Sequence, residues 1–169
     1  MKIAMKKSLL AFCATLLLPG VALAAPDFSG SWIRDNGKSE QVSYPLFWLT
    51  RGVDPGGRVN GDFILDVQQD ARTIKINDPQ RPRRVLELDG KARTVPMDTG
   101  MQSAAVAAHL SADTLTVVTI GSYGGMPGNV GSKTHEIWSL SPDGKILTIA
   151  TTRESPATKQ DFKVIFNRK

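Results

Sequence analysis

Apolar and polar residues alternate along most of the chain beyond residue 60, and this period of two is typical of β-strands with one buried face. Phe63, Leu65 and Val67 alternate with acidic and amide residues, for example. Other segments of this kind contain Ile74 and Ile76, Leu86 and Leu88, residues 115–120, 134–140 and 145–153, and Phe162, Val164 and Phe166. No window shows a convincing helical period, so the pattern predicts an all-β chain.

Turn-forming residues separate these segments. Ser141-Pro142-Asp143-Gly144 predicts a tight hairpin, because proline presets one turn dihedral and glycine accepts the left-handed one. Asp89-Gly90 is a second strong turn signal. The alanine-rich stretch 104–109 is predicted as a strand, since a helix there would be short and uncapped. Roughly eight to ten short strands with such spacing indicate an antiparallel sandwich or barrel.

Two long stretches interrupt the strand pattern. Residues 36–61 are aromatic in the middle and glycine-rich at the end, and residues 121–131 hold five glycines around Tyr123. Unpatterned loops of this length in a compact domain are usually functional or mobile. The second stretch is predicted to be a hairpin loop at the rim of the sheet.

The N-terminus has the pattern of a secretory signal. Lys2, Lys6 and Lys7 precede an apolar run that ends in small residues, which predicts cleavage before Ala25. The run is too short for a transmembrane anchor, and Cys13 has too few apolar residues before it for a lipoprotein signal. We therefore expect a signal peptide over 1–24, one domain over 25–169, and a protein that is periplasmic or secreted.

Removal of the signal changes the charge and the chemistry. Three of the 21 basic residues lie before Ala25 and none of the 16 acidic ones do, so 18 basic residues remain and the net charge falls from +5 to +2. A nucleic-acid partner thereby loses its electrostatic basis. The single cysteine, Cys13, also leaves with the signal, which excludes a disulfide framework.

Two motifs resemble a known group of proteins. The segment Asp27-Phe28-Ser29-Gly30-Ser31-Trp32, followed by Lys38-Ser39, and the segment from Glu136 to Ile149 with its Trp-Ser-Leu-Ser-Pro-Asp-Gly-Lys hairpin resemble a family of small secreted bacterial lipocalin-like (calycin-like) β-barrels, most of unassigned function. The resemblance implies an antiparallel up-and-down β-barrel, but no catalytic motif. Residues 44–58 have no counterpart in the family, and His135-Glu136 stands where relatives often carry an arginine.

The lipocalin-like start also implies a barrel floor. Gly30-x-Trp32 resembles the motif whose indole closes the base of the barrel against a basic residue of the last strand, here Arg168 or Lys163. Trp138 is expected beside it. We interpret these residues as structural, because a buried indole contributes a large apolar area.

The aromatic group Tyr44, Phe47 and Trp48 permits two interpretations. It either plugs the open end of the barrel or forms a lid over an apolar ligand, with Arg51 or Arg58 available for an acidic headgroup and Tyr123 from the glycine-rich loop nearby. An apolar run outside the strand pattern has to be buried against something, which supports both.

Residue types that commonly form catalytic or metal sites are scarce in this chain. The only histidines, His109 and His135, lie in no metal-binding motif, and 121–124 lacks the spacing of a nucleophile elbow. No metal, cofactor or catalytic residue is therefore predicted. Arg81, Arg83 and Arg84, spaced by Pro82, are expected to form a solvated sheet edge, with binding of an anion or a membrane surface as the alternative.

Three functions remain open on this basis. The first is a non-catalytic binding protein for a small apolar or amphipathic molecule inside the barrel. The second is a structural or protein-interaction barrel whose own side chains fill the interior. The third, an enzyme, has no constellation of residues to support it. The ligand and the oligomeric state are not predicted.

Overall fold

The computed structural model describes residues 25–40, 63–78, 81–96, 103–123, 130–154, 156 and 158–169. These residues form ten β-strands and no α-helix, as the alternation predicts. No helix long and apolar enough to cross a membrane occurs among them. The predicted signal peptide and the segment 41–62 lie outside the described residues.

Every pair of neighbouring strands is antiparallel. The strands are β1 Gly30–Arg34, β2 Ile64–Gln69, β3 Thr73–Asp78, β4 Arg81–Glu87, β5 Arg93–Pro96, β6 Ser103–Leu110, β7 Thr114–Tyr123, β8 Val130–Leu140, β9 Ile146–Glu154 and β10 Lys159–Arg168. They form one strongly curled sheet in the order β4-β3-β2-β1-β10-β9-β8-β7-β6-β5. This arrangement is consistent with the predicted up-and-down β-barrel, and the alanine-rich stretch is strand β6 as expected.

The two ends of the sheet belong to one continuous segment of chain. β4 pairs with β3 and β5 pairs with β6, and only residues 88–92 separate β4 from β5. Asp89 bridges to His109, and the Gly90 N–H donates to the Ala108 carbonyl at 2.8 Å. Gly90 has φ +74°, a conformation that glycine adopts without strain. The predicted turn at Asp89-Gly90 is therefore a bend at which the chain changes partners from β3 to β6, and not a hairpin.

The remaining turns are close to their predicted positions. Gly144 has φ +67° and donates its N–H to the Ser141 carbonyl, which makes the tight β8–β9 hairpin. The predicted loop 121–131 is too wide at both ends, because Gly121 pairs with Ser132 and Tyr123 with Val130. Strand pairing uses the backbone, so glycines do not by themselves end a ladder.

The core consists of the alternate side chains that face the inside of the curled sheet. The largest fully buried side chains come from β1, β2, β3, β7, β8, β9 and β10, with Phe28 added from the chain before β1. The largest are Phe28, Trp32, Leu65, Ile74, Ile76, Leu115, Trp138, Leu147, Ile149, Val164 and Phe166. The period of two thus places the inward-facing apolar residues in one cluster.

The Lys-Ser motif of the resemblance has a structural role at the edge of β10. The Ser39 hydroxyl donates to the Ile165 carbonyl and accepts from the Ile165 N–H, at 3.2 and 3.0 Å. The Glu40 carboxylate accepts from the Lys163 N–H at 2.9 Å. These bonds extend the β1–β10 pairing beyond Arg34, so residues 35–40 stay against β10 after β1 ends.

Candidate functional site

Trp32 lies at one end of the core and is fully buried. Its indole N–H donates to the Phe28 carbonyl at 2.9 Å, and the Arg168 guanidinium lies 4.3 Å from the ring centroid. Arg168 is fixed there by hydrogen bonds to the carbonyls of Ser29 and Gly144. Lys163 is exposed on the outer face of β10. Of the two predicted basic partners, the structure therefore places Arg168 against Trp32.

Trp138 joins this end of the core to a polar region. Its side chain is buried and packs edge to face on Phe28, with ring centroids 6.1 Å apart. Its indole N–H donates to the Glu136 carboxyl Oε2 at 3.0 Å. A carboxyl group is thereby held inside the sheet beside an aromatic cluster.

Five described polar residues are buried on the inner face: Arg34 of β1 and four residues of β7–β9. We call these four the inner polar group: Thr119, Thr134, Glu136 and Thr151. The strand register places them together. Glu136 lies directly opposite Thr151 of β9, and Thr134 lies opposite Thr119 of β7. All four occupy positions two or four residues from core residues of the same strand, so the alternation that buries the core buries them too.

The pKa of Glu136 is raised above its ordinary value. Burial is the main cause, because a buried carboxylate loses its hydration. The positive charge of Arg84, the hydrogen bond from Trp138 and the charge of His135 oppose the shift without cancelling it. Arg84 is half-buried and pairs with Ile76, so its side chain is on the inner face. β4 is a sheet edge as expected, but Arg84 does not fit the predicted solvated edge, because its charge acts on a buried carboxyl.

Two buried polar atoms have no hydrogen-bond partner within the described part of the chain. They are the hydroxyl Oγ1 of Thr151 and the Nε of Arg34. An unpaired buried donor typically costs about 1–3 kcal/mol, so each such atom in a folded protein calls for an explanation. Thr151 is opposite Glu136, and Arg34 comes two residues after Trp32, so both belong to the inner face.

The raised pKa of Glu136 predicts a pH-dependent loss of stability. The folded protein favours the protonated carboxyl, so this contribution is fully present below about pH 4.5, the ordinary value, and is lost as the pH rises through the folded pKa. We expect Glu136→Gln, which keeps an oxygen acceptor for Trp138, to gain stability relative to wild type as the pH rises. Urea denaturation of both proteins from pH 4 to 9 measures the difference.

Acidic residues whose pKa values are lowered make both wild type and Glu136→Gln less stable as the pH falls. Asp70, for example, has a pKa lowered to about 2 by hydrogen bonds from Thr73 and from the backbone of Arg72 and Thr73. Its contribution is present above about pH 4 and disappears as the pH falls, so it cancels in the comparison. The exposed Glu87→Gln is the matched control. A Glu136→Gln protein whose stability follows wild type at every pH would contradict the prediction.

A cleft of about 260 Å³ lies between Glu40 and strands β8–β10, and its lining combines outer-face residues with the buried Thr151 and Phe162. His135, Thr152 and Asp161 form a row across these strands on the cleft wall. The Thr152 hydroxyl donates to Asp161 and not to His135. The contact between base and nucleophile that hydroxyl catalysis requires is therefore missing from this row. His109 is exposed on β6, across from Asp89.

The predicted ligand residues are mostly outside the described part of the chain. Tyr44, Phe47, Trp48, Arg51 and Arg58 all lie in segment 41–62, so the lid and plug interpretations both stay predictions. Tyr123 ends β7 opposite Val130, and only its backbone is described. In the described ranges no three His, Cys, Asp or Glu side chains are grouped so that they could hold a metal ion.

Sequence reasoning missed the inner polar residues, although a signal for them was present. Glu136 is two residues before Trp138, and Arg34 two residues after Trp32. In a strand this spacing puts each polar residue on the same face as a tryptophan that was already expected to be buried.

Comparisons with protein-family models, curated proteins and solved structures found no significant match. The lipocalin-like resemblance therefore stays a prediction, and the function has to be argued from the inner face of the sheet.

Proposed function

We propose that this chain is an exported, non-catalytic binding protein that takes a small amphipathic molecule inside its β-barrel. The observation that carries the proposal is the unpartnered Thr151 hydroxyl, buried opposite Glu136. A ligand with a hydroxyl, carbonyl or similar group would supply the hydrogen bond that the described residues do not provide.

The neighbours of Thr151 suit a molecule with one polar and one apolar part. Along β9 the next inward residue is Ile149, and across the ladder on β10 Thr151 pairs with Phe162, which is also buried. A few well-placed polar groups in an apolar lining are typical of small-molecule sites. A hydroxyl or carbonyl group of the ligand would contact Thr151 and Glu136, while its apolar part would lie against Ile149 and Phe162.

The second candidate is a barrel filled by its own side chains that acts in protein contacts. The dense packing of Trp32, Phe28 and Trp138 favours it at one end of the core. The inner polar group lies outside that cluster. The binding protein would hold its ligand there, whereas the filled barrel would have no space for one.

Native mass spectrometry of protein purified from its own host tests the proposal directly. We expect a small molecule to be retained at a fixed mass and released on denaturation. The second arm is a titration with decanol, monitored by tryptophan fluorescence. Trp138 is a suitable probe because its indole N–H donates a hydrogen bond to Glu136 of the inner polar group. Protein with no retained mass that also gives no saturable response to decanol would reject ligand binding in favour of the filled barrel.

Replacing Thr151 by valine removes the hydroxyl while conserving the shape of the side chain. We expect decanol binding to weaken by about fivefold, the effect of one neutral hydrogen bond. We also expect the free protein to become more stable, because a buried unsatisfied hydroxyl disappears. Fluorescence titration and urea denaturation measure the two effects.

Thr148→Val is the matched control on the same strand. Thr148 points to the outer face and pairs with Ser139, so its loss is expected to leave decanol binding unchanged. If the two variants weaken binding equally, or neither does, the Thr151 hydroxyl is not a ligand contact.

A further inference from the structure

We propose that the bound molecule is an anion whose carboxylate or equivalent acidic group is held by Arg34, at a second point of contact, since Arg34 and Thr151 pair with Phe166 and Phe162, four positions apart on β10. This inference rests on the proposed function and specifies the chemical class of the ligand.

Arg34 is a buried cation with no counterion among the described residues. Its side chain is only 9% exposed, and an arginine stays protonated at any physiological pH. Its Nε has no hydrogen-bond partner in the described part of the chain. Its Nη2 donates to the Glu40 carbonyl at 3.5 Å, the outer limit for such a bond. A buried charge is strongly unfavourable unless it is paired, and the described residues supply no anionic partner for this guanidinium.

The acidic side chains next to Arg34 in sequence are bound elsewhere. Asp35 accepts from the N–H groups of Gly37 and Lys38, from the Asn167 amide, and from the Lys38 ammonium at 3.1 Å. The Glu40 carboxylate accepts from the Lys163 N–H. Both carboxylates therefore stabilise the conformation of residues 35–40 and the contact of this segment with β10. No described carboxylate forms an ion pair with Arg34.

The surroundings of Arg34 suit the start of an apolar tail. Arg34 pairs with Phe166 on β10, and its backbone N–H donates to the Phe63 carbonyl. These two phenylalanines are buried, with ring centroids 6.2 Å apart. The acid group of a ligand could accept two parallel N–H hydrogen bonds from the Arg34 guanidinium. The hydrocarbon part of that ligand would then lie beside the two phenylalanines.

A pair of probes that differ only in the headgroup tests the assignment. Decanoate and decanol have the same chain, but only decanoate carries a charge at pH 8. We expect wild-type protein to bind decanoate at least about tenfold more tightly than decanol, as a charge-assisted bidentate contact would produce. Isothermal titration calorimetry measures both affinities.

Arg34→Met should remove this preference by lowering the affinity for decanoate far more than the affinity for decanol. We also expect the variant to melt at or above the wild-type temperature, because an unpaired buried charge is replaced by an apolar chain of similar length. Arg34→Lys keeps the positive charge but loses the paired N–H donors of the guanidinium, so it should retain part of the preference for decanoate. Arg72→Met, an exposed arginine in the β2–β3 turn, is the matched control and should change neither affinity.

The outcomes separate this inference from the proposed function. Equal affinity of wild-type protein for the two probes would overturn the role of Arg34 while leaving a binding barrel. Binding of neither probe, with no mass retained in native spectrometry, would overturn both. A preference for decanoate that persists in Arg34→Met would place the anion site at another residue. Because the wild-type comparison needs no variant, the test holds even if a substitution impairs folding.

Discussion

Trp32→Ala is expected to lower the free energy of unfolding by about 3–5 kcal/mol. The indole is fully buried, so its removal leaves a large cavity in a packed core. The Phe28 carbonyl loses its hydrogen bond from the ring N–H, and the Arg168 guanidinium loses the aromatic face that it covers. These losses add to the free-energy cost of the cavity. We therefore expect this substitution to lower the free energy of unfolding more than any other considered above.

Urea denaturation measures the effect as a lower midpoint with an unchanged slope. Ile120→Ala is the control, because Ile120 is 54% exposed on the outer face and its truncation should change stability by no more than about 0.5 kcal/mol. Arg168→Ala in the wild-type and Trp32→Ala backgrounds completes a double-mutant cycle. A loss for Trp32→Ala no larger than that for Ile120→Ala would show that the indole does not support the core.

Gly30→Ala should destabilise the protein by about 1–3 kcal/mol, although it adds only one methyl group. Gly30 begins β1 with φ +136°, a conformation that residues with a Cβ rarely adopt. A Cβ there would also lie 2.6 Å from Nη1 of Arg168, the atom that donates to the Ser29 carbonyl. The added methyl therefore strains the backbone and displaces the guanidinium from Trp32.

Gly37→Ala is a matched control seven residues along the chain. Gly37 has no positive φ, and a Cβ there would meet only Asp35 Oδ1, at an ordinary 3.5 Å. We expect its stability to stay close to wild type, as measured by thermal and urea denaturation. Equal stabilities for the two alanine variants would mean that the conformation of Gly30 is not required.

The fold was largely predictable because one physical rule determines it. Alternation at Phe63, Leu65 and Val67 or at Phe162, Val164 and Phe166 marks a strand with one buried face, and the structure confirms both strands. Boundaries were less predictable. Backbone pairing continues through Gly121, where side chains carry no signal. Asp89-Gly90 bends the chain toward β6, a distant partner that no local pattern reveals.

The candidate site was harder to predict because its residues look ordinary in sequence. Thr151 and Glu136 become distinctive only when the register places them opposite each other inside the sheet. Arg34 becomes distinctive only when the acidic residues beside it turn out to be engaged elsewhere. Local sequence shows which face a residue occupies, whereas missing partners depend on contacts between distant strands.

The pairing of β1 with β10 has a consequence for biosynthesis. Arg168 donates to the carbonyl of Ser29, 139 positions earlier, and β1 is paired on both sides only after β10 has been synthesised. Contacts of such long range form slowly. A nascent chain therefore cannot complete this sheet until β10 has left the ribosome.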